Sequence, residues 1–196
     1  MADDDTLRFY AENAATYVRH ASGLPSEQLV AFADALPPGS AVLELGTGSG
    51  KDAAYLLSRG HDVHPSDGSP ELAAEAELLL GRTVRIMRFD QLEEDQAYDG
   101  VWASASLLHA PAHELTADLT RIHRALRTGG LVVASFKSGS GEGRDMFGRY
   151  YNYPDAETLV AHFRDAAAWA DLSLSTHMGG GYDGKPTEWL WVTARR

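Results

Sequence analysis

The chain has 196 residues, no cysteine and a formal net charge of −11 at pH 7. This length suits one domain with a full core, so we expect a single domain over residues 1–196. The lack of cysteine excludes disulfides, thiolate metal sites and cysteine nucleophiles, and the acidic charge disfavours nucleic acid as a partner, because affinity for it depends on neutralising phosphates with Lys and Arg.

The first stretch of the chain lacks the basic and apolar regions of a signal peptide, and no apolar run reaches the roughly eighteen residues of a membrane span. We therefore expect a cytoplasmic protein that does not bind membranes. The sequence predicts no particular oligomeric state.

Two helices are predicted ahead of the first strand. Apolar side chains recur at helical spacing from Leu7 to Ala21, within residues 4–21. Ser26 is suited to cap a second helix, which the Pro37-Pro38-Gly39 run ends.

The stretch at residues 42–50, VLELGTGSG, is the centre of the prediction. An apolar run with an acidic residue near its end meets three glycines in G-x-G-x-G spacing, and a helix-compatible run follows at 51–59. This order predicts strand, tight turn and helix. Glycine has no Cβ, so the chain can turn with positive φ and a flat ligand can lie directly against the backbone. The stretch therefore predicts a nucleotide-type binding corner.

An acidic residue, Asp67, lies nineteen positions beyond Gly48 and follows a second short strand at residues 62–65. An acid at this distance is placed to accept hydrogen bonds from both hydroxyls of a ribose. Proline cannot donate to a strand ladder, so Pro65 predicts that this strand ends early.

Two phosphate-binding patterns fail at the same turn. A P-loop would need glycine in place of Leu45 and a hydroxyl in place of Asp52. The dinucleotide fingerprint G-x-G-x-x-G would place a third small residue where the chain has Lys51. A P-loop is therefore excluded and a dinucleotide is disfavoured.

Beyond this turn, helices and strands alternate at lengths typical of right-handed βαβ units, which predicts a doubly wound α/β fold. No helix fits between the last two strands, so they should pair antiparallel. The predicted helices cover residues 70–80, 113–126 and 155–170, and the predicted strands cover 84–89, 100–105, 131–136, 172–178 and 188–195.

His109 is the first choice for a functional side chain. It follows the fourth predicted strand, at the carboxyl edge where such sheets bind ligands. We predict a general base with a pKa near the working pH, which takes a proton from an amine, hydroxyl or thiol. His113 is four positions on, but Pro111 between them breaks the helical alignment of a metal pair, so no metal is expected.

A glycine-rich, charged and aromatic segment, residues 137–154, leaves the carboxyl end of the fifth strand. Long loops at this edge usually carry function, and we interpret this one as a substrate-covering loop. Its arginines and tyrosines suit a substrate with a carboxylate or an aromatic ring. The candidate residues are Lys137, Glu142, Arg144, Arg149, Tyr150 and Tyr151.

The motifs, taken in this order, resemble those of class I S-adenosylmethionine-dependent methyltransferases. Residues 44–50, ELGTGSG, are similar to the first motif of that family, E/D-x-G-x-G-x-G. The likeness continues at residues 67–71, 89–90, 98–102 and 124–130. It implies a Rossmann-like α/β fold that binds S-adenosylmethionine, with a seven-stranded sheet of order 3-2-1-4-5-7-6 in which strand 7 is antiparallel.

The resemblance also assigns roles to residues. It implies that Glu44 helps to hold the methionine ammonium and that Asp67 binds the ribose hydroxyls. Asp90 and Gln91 would meet the adenine. The predicted cofactor site comprises Tyr17, Glu44, Gly46, Thr47, Gly48, Asp67, Gly68, Asp90, Gln91 and Ala103.

In the family that these motifs resemble, segments ahead of the first strand fold over the cofactor site. Residues 1–38 are therefore expected to form a helical lid, with Phe9, Tyr10 and Tyr17 as contact residues. A finer likeness to small bacterial methyltransferases of the tellurite-resistance and thiopurine type rests on residues 107–109 and 135–137. The predicted substrate residues are Tyr10, Lys137, Arg144, Arg149 and Tyr150.

We therefore predict methyl transfer from S-adenosylmethionine to a small-molecule acceptor by in-line displacement. A nicotinamide-dependent short-chain reductase is an alternative, but it would need a Tyr-x-x-x-Lys pair, and none of the eight tyrosines has lysine four residues on. A module that binds S-adenosylmethionine without transferring its methyl group is a second alternative. Only His109 and the long segment beside it argue against that module.

Overall fold

The structure, a computed structural model, describes residues 3–20 and 23–196. Met1, Ala2, Ala21 and Ser22 lie outside these ranges. The predicted helical position at Ala21 and the first two residues of the predicted lid are therefore not described.

Helices and strands alternate along the described ranges. The helices are α1 (Asp4–His20), α2 (Glu27–Ala35), α3 (Lys51–Ser58), α4 (Pro70–Leu80), α5 (Ala112–Ala125) and α6 (Ala156–Ala166). The strands are β1 (Ala41–Leu45), β2 (Asp62–Asp67), β3 (Arg85–Ile86), β4 (Tyr98–Ala103), β5 (Leu126–Lys137), β6 (Gly141–Arg144), β7 (Tyr150–Tyr153), β8 (Asp171–Gly180) and β9 (Pro186–Arg195). Among these described helices, none combines the length and the apolar character that a membrane crossing requires.

Seven strands form one sheet in the order β3-β2-β1-β4-β5-β9-β8. The first five pair in parallel, whereas β9 runs antiparallel to both β5 and β8. Counted within this sheet alone, the order is 3-2-1-4-5-7-6 with an antiparallel seventh strand. The predicted α/β fold class is confirmed.

Side-chain caps fix where α2 and α4 begin. Ser26 Oγ accepts a hydrogen bond from the Leu29 N–H at 3.1 Å, and Ser69 Oγ accepts one from the Leu72 N–H at 3.3 Å. Each such cap contributes about 1 kcal/mol. The cap residue Ser69 lies two residues after β2 ends at Asp67, so α4 begins beside the carboxyl edge of the sheet.

Strand β2 continues through Pro65 to Asp67, so the prediction that it ends early is wrong. The Ser66 carbonyl accepts from the Gly46 N–H on the β1 side, and the Asp67 carbonyl accepts from the Met87 N–H on the β3 side, both at 2.9 Å. Because backbone groups alternate between the two neighbours, the nitrogen of Pro65 faces the β3 side, where pairing begins only at Ser66. The ladder therefore loses no hydrogen bond at the proline.

Apolar side chains cover both faces of the sheet. On one face, Trp102 of β4 packs against Phe32 of α2, with ring centroids 5.2 Å apart, in a cluster that also includes α3. On the other face, Phe136 of β5 and Phe163 of α6 belong to a larger cluster with α5. Helix α2 is thus part of a buried layer, and α1 is the N-terminal helix that reaches the carboxyl edge of the sheet.

Residues 137–154 form a hairpin where the sequence suggested an irregular loop. Strands β6 and β7 pair antiparallel, and Tyr151 of β7 is buried in the main core. A Cβ at Gly139 would lie 2.7 Å from the Cβ of Tyr153. Gly139 is thus required by close packing, whereas Gly141 and Gly148 have positive φ and no atom near a built Cβ, so they serve the turns of the hairpin.

Candidate active site

A cavity of about 620 Å³ opens at the carboxyl ends of β1, β2 and β4, beneath α1. This is the edge at which open α/β sheets bind ligands. We call it the donor cavity. It is lined by Asp3, Thr6, Leu7, Tyr10, Tyr17, Gly46, Gly48, Asp67, Gly68, Leu72, Met87, Arg88, Phe89, Ala105, Ser106 and His109.

The glycine turn after β1 forms one wall of the donor cavity. Gly46 and Gly48 have φ values of 76° and 55°, which side chains rarely tolerate. A Cβ at Gly46 would lie 2.5 Å from the Cβ of Ser106, and a Cβ at Gly48 would lie 3.3 Å from Cε1 of Tyr17. The turn therefore needs glycine for its conformation and for the space above it, as the motif predicts.

Asp67 joins the end of β2 to this turn. Its Oδ2 accepts from the Gly48 N–H at 2.9 Å, and its Oδ1 accepts from the Ser69 N–H at 2.9 Å. Burial raises the pKa of Asp67, although these N–H groups stabilise its charged form. Each carboxylate oxygen has a second lone pair, so the side chain retains acceptor capacity toward the cavity.

Glu44 and Thr47 lie behind the turn and do not line the donor cavity. Glu44 is 2% exposed and accepts a hydrogen bond from the Thr47 hydroxyl. Burial raises the pKa of Glu44 to about 8, and the negative charges of Asp52 and Asp67 add to the shift. No cation pairs with Glu44 among the residues that the structure describes, and its raised pKa keeps it mostly protonated near pH 7.

His109 is held at both ring nitrogens. Nδ1 donates to the Tyr150 carbonyl at 2.6 Å, since a carbonyl only accepts, and Nε2 then accepts from the Tyr10 hydroxyl at 2.9 Å. Burial lowers the pKa of His109 to about 4, and the positive charge of Arg149 acts in the same direction. The prediction of a pKa near the working pH is therefore wrong, because burial disfavours the charged ring. The role of His109 as a base stays a prediction.

Arg149 is enclosed by aromatic rings and is 1% exposed. Its guanidinium donates to Asp145 Oδ2 through Nε at 3.0 Å and through an Nη at 2.7 Å, and its other Nη donates to the Tyr10 hydroxyl at 3.1 Å. The charge of Arg149 is therefore matched within the protein. The rings of Phe9, Tyr10, Phe147, Tyr151 and Tyr182 lie 4.9–5.6 Å from its Cζ.

A second cavity, of about 480 Å³, adjoins the first. We call it the acceptor cavity. Lys137, Arg149, Tyr151, Tyr182 and Trp189 line it, together with smaller residues from β8 and the turn after it. Four residues line both cavities and so form their junction: Tyr10, Tyr17, Ala105 and His109.

Two predicted substrate residues line neither cavity. Arg144 is an exposed residue that pairs with Asp3 at 2.7 Å, and the Tyr150 hydroxyl donates to Glu142. Arg144 thereby ties β6 to the start of α1. Tyr150 contributes to the site through its carbonyl, which positions His109.

The predicted adenine residues also lie outside the donor cavity. Arg88 and Phe89 line it, whereas Asp90 lies in a small cleft beside Pro111. The Gln91 side chain accepts from the Arg88 N–H at 2.8 Å. Ala103 is fully buried within β4 and does not line the cavity either.

Sequence reasoning missed Ser106, Tyr182 and Trp189. Ser106 immediately follows the predicted fourth strand, so the rule that ligands bind at the carboxyl edge contained a signal for it. Its Oγ is buried and has no hydrogen-bond partner among the described residues. Tyr182 and Trp189 reach the site only because β9 pairs antiparallel with β5, and no local pattern marks them.

The glycine turn, the acid after β2 and the cavity at the switch between β1 and β4 define an α/β domain with a nucleoside-binding crevice. The family model described as a methyltransferase domain matches residues 17–173. The chain belongs to this family. The predicted class, which uses S-adenosylmethionine as methyl donor, is thereby confirmed.

Solved structures of methyltransferases resemble this fold. The 1,6-didemethyltoxoflavin-N1-methyltransferase of Burkholderia thailandensis, with 1,6-didemethyltoxoflavin and S-adenosylhomocysteine bound, is 22% identical, with a TM-score of 0.77, over 98% of this chain and 88% of that one. The phosphoethanolamine N-methyltransferase 2 of Haemonchus contortus is 18% identical, with a TM-score of 0.70, over 86% of this chain and 52% of that one.

A sequence relative is the protein-L-isoaspartate O-methyltransferase of Chlorobium phaeobacteroides. It is 33% identical over 102 residues, which are 49% of this chain and 44% of that protein. The match thus spans less than half the length of that relative.

Proposed function

We propose that the protein transfers the methyl group of S-adenosylmethionine to a small-molecule acceptor by in-line displacement. One observation carries this proposal: two cavities meet at Tyr10, Tyr17, Ala105 and His109. The donor cavity ends at the glycine turn, and the acceptor cavity lies on the other side of the junction. A methyl group that leaves one cavity for the other would pass between these four residues.

The residues of the donor cavity fit the charge and shape of S-adenosylmethionine. Gly46 and Gly48 let Ser106 and Tyr17 pack close to the turn and present bare backbone to the cavity, and Asp67 offers acceptors for the ribose hydroxyls. Glu44 is buried behind the turn, and its role in holding the methionine ammonium stays a prediction. The adenine would then lie toward Phe89, and its contact with Asp90 and Gln91 stays a prediction.

When bound, S-adenosylmethionine supplies an electrophilic methyl group on a sulfonium. The protein must then align the acceptor with the methyl–sulfur bond and exclude water. Tyr10 and Tyr17 of α1 cover the junction, with ring centroids 5.3 Å apart. Helix α1 contributes Tyr10 and Tyr17 to this junction, and the β6–β7 hairpin contributes Arg149 and Tyr151 to the acceptor cavity. Their action as a lid and as a substrate-covering segment stays a prediction.

The size and walls of the acceptor cavity support a small molecule over a macromolecule. Its walls come from α1, the carboxyl edge of the sheet, the hairpin and the turn between β8 and β9. The finer likeness to tellurite-resistance and thiopurine-type enzymes stays a prediction. Membership of the methyltransferase family supports this reading over a nicotinamide-dependent reductase.

The proposal is tested by turnover. The purified protein is incubated with methyl-labelled S-adenosylmethionine and a panel of small aromatic and aliphatic acids, amines, phenols and thiols, and formation of S-adenosylhomocysteine is followed. We expect acceptor-dependent turnover by the wild type and none by Gly46→Val, whose side chain would enter the space next to Ser106. Tight binding of S-adenosylmethionine without turnover on any acceptor would instead favour the non-catalytic module.

A further inference from the structure

We infer that the acceptor cavity takes a planar aromatic acceptor that carries a negative charge, and that the Lys137 ammonium binds this charge. The inference rests on the proposed function and adds the chemical class of the acceptor to it. Lys137 is the last residue of β5, and its side chain lines the acceptor cavity but not the donor cavity.

The charge of Lys137 is buried without a matching carboxylate. The residue is 8% exposed, and among residues 3–20 and 23–196 no carboxylate lies within ion-pair distance of its Nζ. Asp183 and Asp145 act on it from beyond that distance, and burial lowers its pKa. A buried ammonium that lacks a partner is costly, so it marks a place where an anion stabilises the protein.

The other ionisable groups around the cavity leave this charge unmatched. Arg149 is already paired with Asp145 at 2.7 Å. His109 is neutral near pH 7, and burial raises the pKa of Tyr10 and of Tyr151, so both phenols stay protonated. Asp183 attracts the Lys137 ammonium only from beyond ion-pair distance, so Lys137 is the basic residue of this cavity that has no direct carboxylate partner.

The surroundings of the ammonium are flat and apolar. Its Nζ lies 4.5 Å from the ring centroid of Tyr151 and 5.8 Å from that of Trp189. A Cβ at Gly181 would lie 2.8 Å from Oδ1 of Asp183 and 3.0 Å from Nζ, so the glycine lets the backbone pass close to the ammonium. Aromatic walls select planar rings, and the partly open cavity that they line gives such a ring access to the ammonium.

This assignment separates the roles of the three basic residues in the segment. Arg144 pairs with Asp3 at the surface, and Arg149 holds the Tyr10 hydroxyl. Lys137 alone of the three has its charge free for an acceptor. It is therefore a specificity-determining residue that recognises a carboxylate or an ionised hydroxyl on the acceptor.

The inference is tested with a matched pair of probes, naphthalene-2-carboxylate and its uncharged isostere naphthalene-2-carboxamide. Their affinities for the full-length protein saturated with S-adenosylhomocysteine are measured by calorimetry. We expect the wild type to bind the carboxylate at least about tenfold more tightly than the amide, as a charged hydrogen bond provides. Equal affinities, or a preference for the amide, would overturn the inference.

Three variants assign the preference to Lys137. Lys137→Met should remove the preference for the carboxylate, and Lys137→Arg should keep it. Lys185→Met, which deletes an exposed positive charge near the same edge, should leave it unchanged. A preference that persists in Lys137→Met, or that disappears equally in Lys185→Met, contradicts the assignment.

Binding of S-adenosylhomocysteine alone distinguishes the two levels of the account. If the wild type fails to bind it, the proposed function fails. If the wild type binds it but does not discriminate between the two probes, only the inference fails. Should Lys137→Met not fold, the wild-type preference and its retention in Lys137→Arg still decide the outcome.

Discussion

The hydroxyl of Tyr10 lies 2.9 Å from Nε2 of His109, although the two residues are 99 positions apart. This contact joins α1 to the carboxyl edge of the sheet at the junction of the two cavities. Arg149 donates to the same hydroxyl at 3.1 Å, so the β6–β7 hairpin is tied to the same point. Three separate chain segments therefore meet where methyl transfer is proposed.

Removal of this hydroxyl tests the contact. Tyr10→Phe leaves Nε2 of His109 without a donor and an Nη of Arg149 without an acceptor, so we expect unfolding free energy to fall by about 1–3 kcal/mol. Tyr55→Phe is the matched control, because its hydroxyl bonds to Arg59 at an exposed position. Urea denaturation of both variants measures the difference, and equal effects would show that the buried contact adds nothing.

The low pKa of His109 sets a pH dependence of stability. The folded-state pKa of His109 is about 4, below the ordinary 6.5. Between pH 4 and 6.5 the folded state therefore binds fewer protons than the unfolded state, so stability falls as pH drops from 6.5 toward 4. The slope contributed by this group is at most about 1.4 kcal/mol per pH unit. His109→Gln should lessen the loss between pH 6.5 and 5, as measured by urea denaturation, whereas the exposed His113→Gln should not. If His109→Gln loses as much stability as the wild type between pH 6.5 and 5, the lowered pKa of His109 is contradicted.

Glu44 acts in the opposite direction and in another pH range. Its folded-state pKa of about 8 lies above the ordinary 4.5, so the folded state binds more protons, and stability falls as pH rises from 4.5 to 8. Between pH 7 and 8 neither His109, at about 4, nor Asp118, at about 6, still titrates.

Binding of S-adenosylmethionine should therefore release a proton from Glu44 near pH 7. Calorimetric titrations in two buffers of different ionisation enthalpy measure the proton release. We expect release by the wild type and markedly less by Glu44→Gln. The same release in both proteins would remove Glu44 from the donor site.

Substitutions at Gly46 and Gly60 distinguish the cost of backbone strain from the cost of a steric clash. Gly46 and Gly60 have φ values of 76° and 84°, but only a Cβ at Gly46 meets a neighbour, Ser106, at 2.5 Å. Gly60→Ala should cost about 1–2 kcal/mol through conformation alone, and Gly46→Ala should cost about 1–3 kcal/mol more through the clash. Thermal denaturation compares the two. If they lose equal stability, the space above the turn is not closed by Ser106.

The parts of the fold that local chemistry determines could be predicted from the sequence. The strand–turn–helix at residues 42–59, the cap at Ser26 and the antiparallel end of the sheet all follow from short-range patterns. The prediction from Pro65 was wrong because a proline removes a ladder hydrogen bond only where its nitrogen faces a paired strand. That information lies in the pairing of β2 with β3, far along the chain.

The site was predictable at the glycine turn and at Asp67, and less so elsewhere. His109 was located correctly, but its pKa depends on burial by α1 and on Arg149, which no local pattern reveals. Trp189 enters the acceptor cavity through the topology of β9. Residues brought together across the sheet therefore had to be seen in the structure.

The central claim is that the turn at Gly46 and Gly48, with Asp67, binds the nucleoside of S-adenosylmethionine. Calorimetric titration of S-adenosylhomocysteine into the wild type and into Asp67→Ala tests it most directly, with Asp62→Ala as an exposed control on the same strand. We predict wild-type binding that is weakened by about 1.5–3 kcal/mol in Asp67→Ala and unchanged in Asp62→Ala. Unchanged affinity in a folded Asp67→Ala variant, or no wild-type binding at millimolar ligand, would contradict the account.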